Sequence, residues 1–227
     1  EALMVSIFLY VPNSIGYARC LFMVLALAYW QDSTTFLLLY SASFGLDAWD
    51  GYFARLLEQS SELGAVLDML TDRSGSAMIL MILAQLYKSF APIFLVLMYL
   101  DCFSHWVQTP SGLCSGTSSD KQAGNQSPII RFYYARPVLT FTCLFNELFF
   151  IMLYLLHFKE GTVVMISGLS INILKLFTWG FCLVVFAAKQ LVNINQIVSA
   201  HTILQSSPSS SWTRLKSITT MQMTEYA

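Results

Sequence analysis

Six stretches of this chain, at 14–32, 34–57, 62–87, 90–108, 136–157 and 163–189, are each long and apolar enough to cross a bilayer as a helix. A hydrocarbon core takes roughly 20 residues at helical rise. In lipid only helices and closed barrels satisfy every backbone group, so the sequence predicts an all-α polytopic membrane protein with about six transmembrane helices. Composition agrees: 56% of the 227 residues are hydrophobic, 11% are charged and the mean hydropathy is +0.60, outside the range of a soluble domain. A formal net charge of -1 provides no basic face for a phosphodiester backbone, which excludes nucleic acid as a partner.

The breaks between spans have chemical causes. Gln31, Asp32 and Ser33 end the first, Ser60 and Ser61 the second, and Lys88 and Ser89 with Pro92 the third. A Ser-, Gly- and Pro-rich stretch at 109–130 reads as a solvated loop. The membrane domain is expected over 1–194, followed by a polar, disordered tail at 195–227 containing SSPSSS. The amino end shows no basic leader or cleavage site, so no removable signal peptide is expected. The five cysteines form no C-x-x-C pair and read as packing residues. With the amino terminus in the cytosol, Arg55, Lys121, Arg131, Arg136, Lys189, Arg214 and Lys216 fall on that side, against Lys88 and Lys159 opposite. Basic residues are retained on the cytosolic side, so both termini are placed there.

Four acids interrupt this apolar pattern: Asp47 and Asp50 in the second span, Asp68 and Asp72 in the third. An aspartate at mid-membrane costs about 2.5 to 3.5 kcal/mol, so four unpaired ones would cost on the order of 10 kcal/mol. Spacings of three and four put each pair on one helix face. A turn at Ser60 and Ser61 makes the helices antiparallel neighbours, bringing the pairs together near the cytosolic surface. Hard divalent cations take oxygen ligands and supply the compensating charge. Four carboxylates suit two ions about 3.5 to 4 Å apart, an arrangement that activates an attacking oxygen and stabilises a leaving one. Pairing with Arg55 or Arg73 is the structural alternative. Gly51, Ala54, Gly64 and Ala65 permit close approach of helices or a bulky ligand.

The run D-x-x-D-G-x-x-A-R-x8-G-x-x-x-D-x-x-x-D, met by Asp47, Asp50, Gly51, Ala54, Arg55, Gly64, Asp68 and Asp72, resembles the signature of the CDP-alcohol phosphotransferases. The flanks VPNSIGYAR, LDMLTDR, SHW, RFYYARP, NELF and LHFKEG are similar to the eukaryotic phosphatidylinositol-forming branch of that family, over most of 7–161. The resemblance implies a six-helix fold in the endoplasmic reticulum membrane, a cytosol-facing site and a homodimer. It implies that Asp47, Asp50, Asp68 and Asp72 hold two Mg²⁺ or Mn²⁺ ions and that Asp72 is also the proton acceptor. It also implies that Gly51, Arg55 and Ser61 contact CDP-diacylglycerol and that the acceptor would be myo-inositol.

Elementary chemistry agrees. Two cations and Arg55 neutralise a diphosphate, and a carboxylate must take the proton of an attacking alcohol, itself a poor nucleophile. Asn13 and Arg19, at the mouth of the first span, reach either the nucleotide or, for Arg19, the lipid headgroups. Asp101, His105, Asn146 and Glu147 offer hydroxyl-binding groups for an inositol pocket, or interhelical hydrogen bonds instead. Arg131 and Arg136, beside Tyr133 and Tyr134, read as substrate contacts or interfacial anchors. His157 and His201 mark an interface and the tail. Other acceptors (serine, glycerol phosphate) fit the signature equally, and a membrane cation transporter is the competing class, since buried carboxylates also mark ion pathways.

Overall fold

The computed structural model describes residues 6–114, 135–159, 161, 163–166 and 169–206. Its long helices are α1 (Val11–Ala28), α2 (Ser33–Leu56), α3 (Glu62–Leu86), α4 (Ala91–Cys114) and α5 (Arg136–Phe158). After α5 come a two-stranded hairpin, β1 (Val163–Ile166) with β2 (Leu169–Asn172), a short α6 (Ile173–Leu176), a π-helical turn (Phe177–Cys182) and α7 (Leu183–Ser206). Among the described residues the fold is all-α apart from that strand pair. Among the described residues, four segments are long and apolar enough to cross a membrane: Val11–Ala28, Lys88–Gln108, Pro137–Phe158 and Ile173–Gln205. The acid-bearing α2 and α3 do not meet that measure. Leu38, Val96, Tyr99, Trp106, Val184 and Leu191 are each 64–69% exposed, a spread of bare apolar surface that lipid covers and water would not tolerate.

Local chemistry sets the helix ends. Pro12 sits in the first turn of α1, where its missing N–H costs nothing. Asp32 caps α2, accepting from the Thr34 amide at 3.2 Å and the Thr35 hydroxyl at 2.5 Å. Ser61 caps α3, accepting from the Gly64 amide at 3.0 Å. Between them Glu58, with φ of 55°, takes the left-handed position that reverses the chain, and the Gln59 amide reaches back to the Ala54 carbonyl at 3.0 Å.

Three boundaries differ from the sequence reading. Residues 163–166 and 169–172 pair as antiparallel strands instead of opening the last span, because Val163, Val164, Ile166 and Ile171 are β-branched and favour extended backbone. Helix α4 continues past 108 to Cys114. Helix α7 carries the expected tail as far as Ser206, with Gln196, Ala200 and Ile203 buried at helical spacing. Hydropathy marks where lipid ends, and helical hydrogen bonding continues beyond that point. Loop residues 115–130, Arg131, Tyr133, Tyr134 and the tail from 207 lie outside the described residues.

The chain divides into two units, one built from residues up to Met98 with the stretch from Phe150, the other from Tyr99–Phe149 with the stretch from Val163. In the first, α1 packs along α2 and α3. Gly16 lets Leu67 of α3 come so close that an added Cβ would lie 2.5 Å from its Cδ2. The Ser43 hydroxyl of α2 donates to the Arg19 carbonyl of α1 at 3.0 Å. The end of α5 joins this unit through Tyr154, whose hydroxyl donates to the Trp30 carbonyl at 2.7 Å and whose ring meets Phe36 at 4.4 Å. In the second unit, aromatic rings of α5 meet those of the α6–α7 segment, Phe149 with Phe186 at 4.7 Å and Phe145 with Phe181 at 4.9 Å.

Candidate active site

In the first unit the four aspartates converge. Asp47 and Asp50 lie toward the end of α2, Asp68 and Asp72 near the start of α3, and the Ser61-capped turn folds the two helices back on each other. Carboxylate oxygens of Asp47, Asp50 and Asp68 lie within 4.8 Å of one another. Asp72 joins them through a fifth residue, Arg19 of α1. Its Nη1 donates to Asp50 Oδ2 at 2.6 Å and Asp68 Oδ1 at 2.9 Å. Its Nη2 donates to Asp72 Oδ1 at 2.5 Å and pairs with Asp47 Oδ1 at 2.8 Å.

This placement corrects two expectations. Arg19 does not snorkel to headgroups: its side chain is 1% exposed and stands among the acids. It takes up the pairing role considered for Arg55 or Arg73, with Arg73 a further positive charge acting on Asp72. The signal was present in sequence, since Arg19 shares the stripe of Pro12, Gly16 and Ala26, all buried against the protein. An arginine on the small-residue face of an apolar helix points inward, where an acid must meet it.

The remaining predicted residues fall around this cluster. The Arg55 guanidinium lies over Gly51, its Nη1 3.4 Å from where a Cβ would stand. Ser61 lines a cavity of about 430 Å³ together with Ile7, Tyr10, Ser60, Glu62 and Leu63. Buried Asn13 pins the rim of that cavity, donating to the Ile7 carbonyl at 2.6 Å and to the Ser61 hydroxyl at 3.4 Å. The Val11 amide donates to Gln59 Oε1 at 2.9 Å, tying the start of α1 to the α2–α3 turn. An added Cβ at Gly64 would lie 2.7 Å from Asn13 Oδ1, so that position leaves no space for a side chain.

The donor set fits a divalent cation. It offers only oxygen, the ligand hard ions prefer. These five side chains by themselves carry a formal charge of -3, and Arg73 adds a further positive charge acting on Asp72. Asp50 is nearly covered at 11%, while Asp72, Asp47 and Asp68 are 33%, 37% and 46% exposed, so the cluster opens to one side. Divalent ions held by such a set of oxygens would supply the positive charge that a diphosphate and an oxygen nucleophile require.

The residues suggested for an inositol pocket sit in the second unit, and Asp101 there is already engaged. Lys189 Nζ of α7 donates to its Oδ1 at 2.6 Å, and Asn193 Nδ2 approaches the same oxygen at 3.5 Å. His105 Nδ1 lies 2.8 Å from the Asp101 carbonyl, and Asn146 Nδ2 donates to Glu147 Oε1 at 3.4 Å. The interhelical reading of Asp101 is the one realised. His157 packs edge-on against Tyr87, rings 5.6 Å apart, and His201 is exposed on α7.

The profile of the family described as CDP-alcohol phosphatidyltransferase matches residues 9–158. Among curated relatives, the human CDP-diacylglycerol--inositol 3-phosphatidyltransferase is 42% identical over 172 residues, covering 72% of this chain and 78% of its own. The Candida albicans protein of the same name is 37% identical, covering 87% and 83%. The probable enzyme 2 of Arabidopsis thaliana is 36% identical, covering 86% and 89%. No solved structure matches.

Proposed function

The chain belongs to the CDP-alcohol phosphatidyltransferase family, and from that membership we propose that it transfers the phosphatidyl group of CDP-diacylglycerol to myo-inositol, releasing CMP and leaving phosphatidylinositol in the membrane. The carrying observation is that relatives from animal, fungus and plant, each covering more than two thirds of the chain, bear the name of that activity. The convergence of four carboxylates in a membrane-embedded unit supports it independently.

Asp47, Asp50, Asp68 and Asp72 would hold two Mg²⁺ or Mn²⁺ ions. When bound, these supply positive charge against the diphosphate and the departing CMP. The protein's own groups do the rest. Gly51 leaves room beside the Arg55 guanidinium, which neutralises a phosphate oxygen, and Ser61 offers its hydroxyl at the edge of a cavity of nucleoside size. Asp72 accepts the proton of an inositol hydroxyl as that oxygen bonds to the lipid-bearing phosphorus and the bond from phosphorus to the CMP oxygen breaks. Catalysis is then largely positioning and electrostatics. The same reading places the site toward the cytosol in the endoplasmic reticulum membrane, the enzyme as a homodimer, and the polar end of the chain outside the membrane domain.

Purified protein given Mn²⁺ or Mg²⁺, CDP-diacylglycerol and labelled alcohols should label lipid from inositol. Label from serine or glycerol phosphate but not inositol would refute the acceptor. A proteoliposome that passes cations and forms no lipid would replace the enzyme with a transporter.

A further inference from the structure

Arg19 presents four terminal N–H groups, donating to three carboxylates, Asp50, Asp68 and Asp72, and forming an ion pair with a fourth, Asp47. Its Nε, also buried, has no hydrogen-bond partner among the described residues. The contacts use one oxygen of each aspartate, and the guanidinium is the most deeply buried member of the set at 1% exposure. Without this cation, four like charges would repel one another at separations of a few ångströms in a poorly screening surrounding. A lysine could not substitute, because one ammonium has three N–H groups radiating from a single atom, whereas the planar fork spreads its donors over two.

We propose that Arg19 is the resident counter-cation of the acidic cage: it gathers the four carboxylates around one guanidinium, three of them within 4.8 Å of one another, while no ion is present, and divalent ions load against its charge. This rests on the metal reading above and adds a consequence. Arg19 makes the metal-free protein stable and makes metal binding weaker than four bare carboxylates would allow, so that the ions exchange instead of remaining locked in place.

The test is Mn²⁺ titration of the detergent-solubilised full chain by electron paramagnetic resonance, with thermal melting in chelator. The chains compared are wild type, Arg19→Gln, Arg19→Lys and the double variant Arg19→Gln with Asp50→Asn. Each is purified with Mn²⁺ present and stripped afterwards, so folding does not depend on the metal-free state. Arg19→Gln should bind Mn²⁺ about tenfold or more tighter, since a unit positive charge beside the ions is gone. It should melt lower by about 5 °C in chelator and regain that loss on adding Mn²⁺. Arg19→Lys should stay nearer the wild type in affinity and fall between the two in metal-free melting. The double variant restores a formal charge of -3 and should recover much of the metal-free melting temperature. Weaker or unchanged Mn²⁺ binding in Arg19→Gln, with the wild type still binding, would overturn the counter-cation and leave the metal reading standing. An unchanged melting temperature in chelator would do the same. A wild type that binds no Mn²⁺ would remove both.

Discussion

Each unit of this protein buries an ionic cluster, and the two are balanced differently. In the first unit one guanidinium faces four carboxylates, and three of those acids are a third or more exposed. In the second, one ammonium faces one carboxylate, Lys189 on Asp101 at 2.6 Å, with side-chain exposures of 4% and 9%. In that pair the charges cancel and both groups are buried, and it joins α4 to α7. The first is short of positive charge and open to a visitor. In a lipid-embedded chain, depth of burial does not distinguish a site from a structural contact. The distinction lies in whether the charges already cancel.

The largest effect should come from the unbalanced cluster. Asp72→Asn should keep CDP-diacylglycerol binding but lower turnover by about 10³-fold or more, and Asp47→Asn should lower turnover and weaken Mn²⁺ binding too. Chelation of the wild type should abolish turnover and be reversible. Near-wild-type turnover in either variant would erase the distinction between the clusters.

The balanced cluster should respond in stability alone. Asp101→Asn strands a buried ammonium and should cost about 3–5 kcal/mol, while replacing both partners, Asp101→Leu with Lys189→Met, should recover most of it. Mn²⁺ affinity should not move in the double variant. If it does, the second cluster takes part in the first one's chemistry and the contrast must be redrawn.

Two smaller effects bound the comparison from the uncharged side. Glu58→Gly relieves a left-handed backbone at the α2–α3 turn and should raise stability by about 1 kcal/mol without altering metal binding. Asp32 is an exposed acid held by neutral donors only. The Thr35 hydroxyl, then the Thr34 amide, holds its carboxyl below the usual range. A lowered folded-state value means its contribution is complete above the unfolded value and is lost as pH falls through the folded one. Acid melting curves should therefore show a small loss that Asp32→Asn, which still caps the helix, lacks.

Much of the architecture was legible in the residues because lipid enforces simple rules. Helices α1 to α5 lie where apolar length predicted them, while α7 does not, and the aspartate and serine between spans became the caps of α2 and α3. The strand pair at 163–166 and 169–172 was missed because valine and isoleucine serve lipid-facing helices and strands alike. The position of the aspartates on two facing helix faces followed from spacings of three and four. The buried stripe of α1 marks Arg19 as inward-facing but not which acids it meets, because it lies 31 residues from Asp50 and 53 from Asp72.

The chain by itself determined that helices cross lipid, which acids they carry, and that those acids must meet positive charge, since uncompensated carboxylates are too costly there. Only the tertiary structure decided which charge meets which. It sent Arg19 into the cage and paired Asp101 with Lys189 across 88 positions. A Coulomb energy depends on distance in space, and sequence separation carries no information about that until the helices have packed.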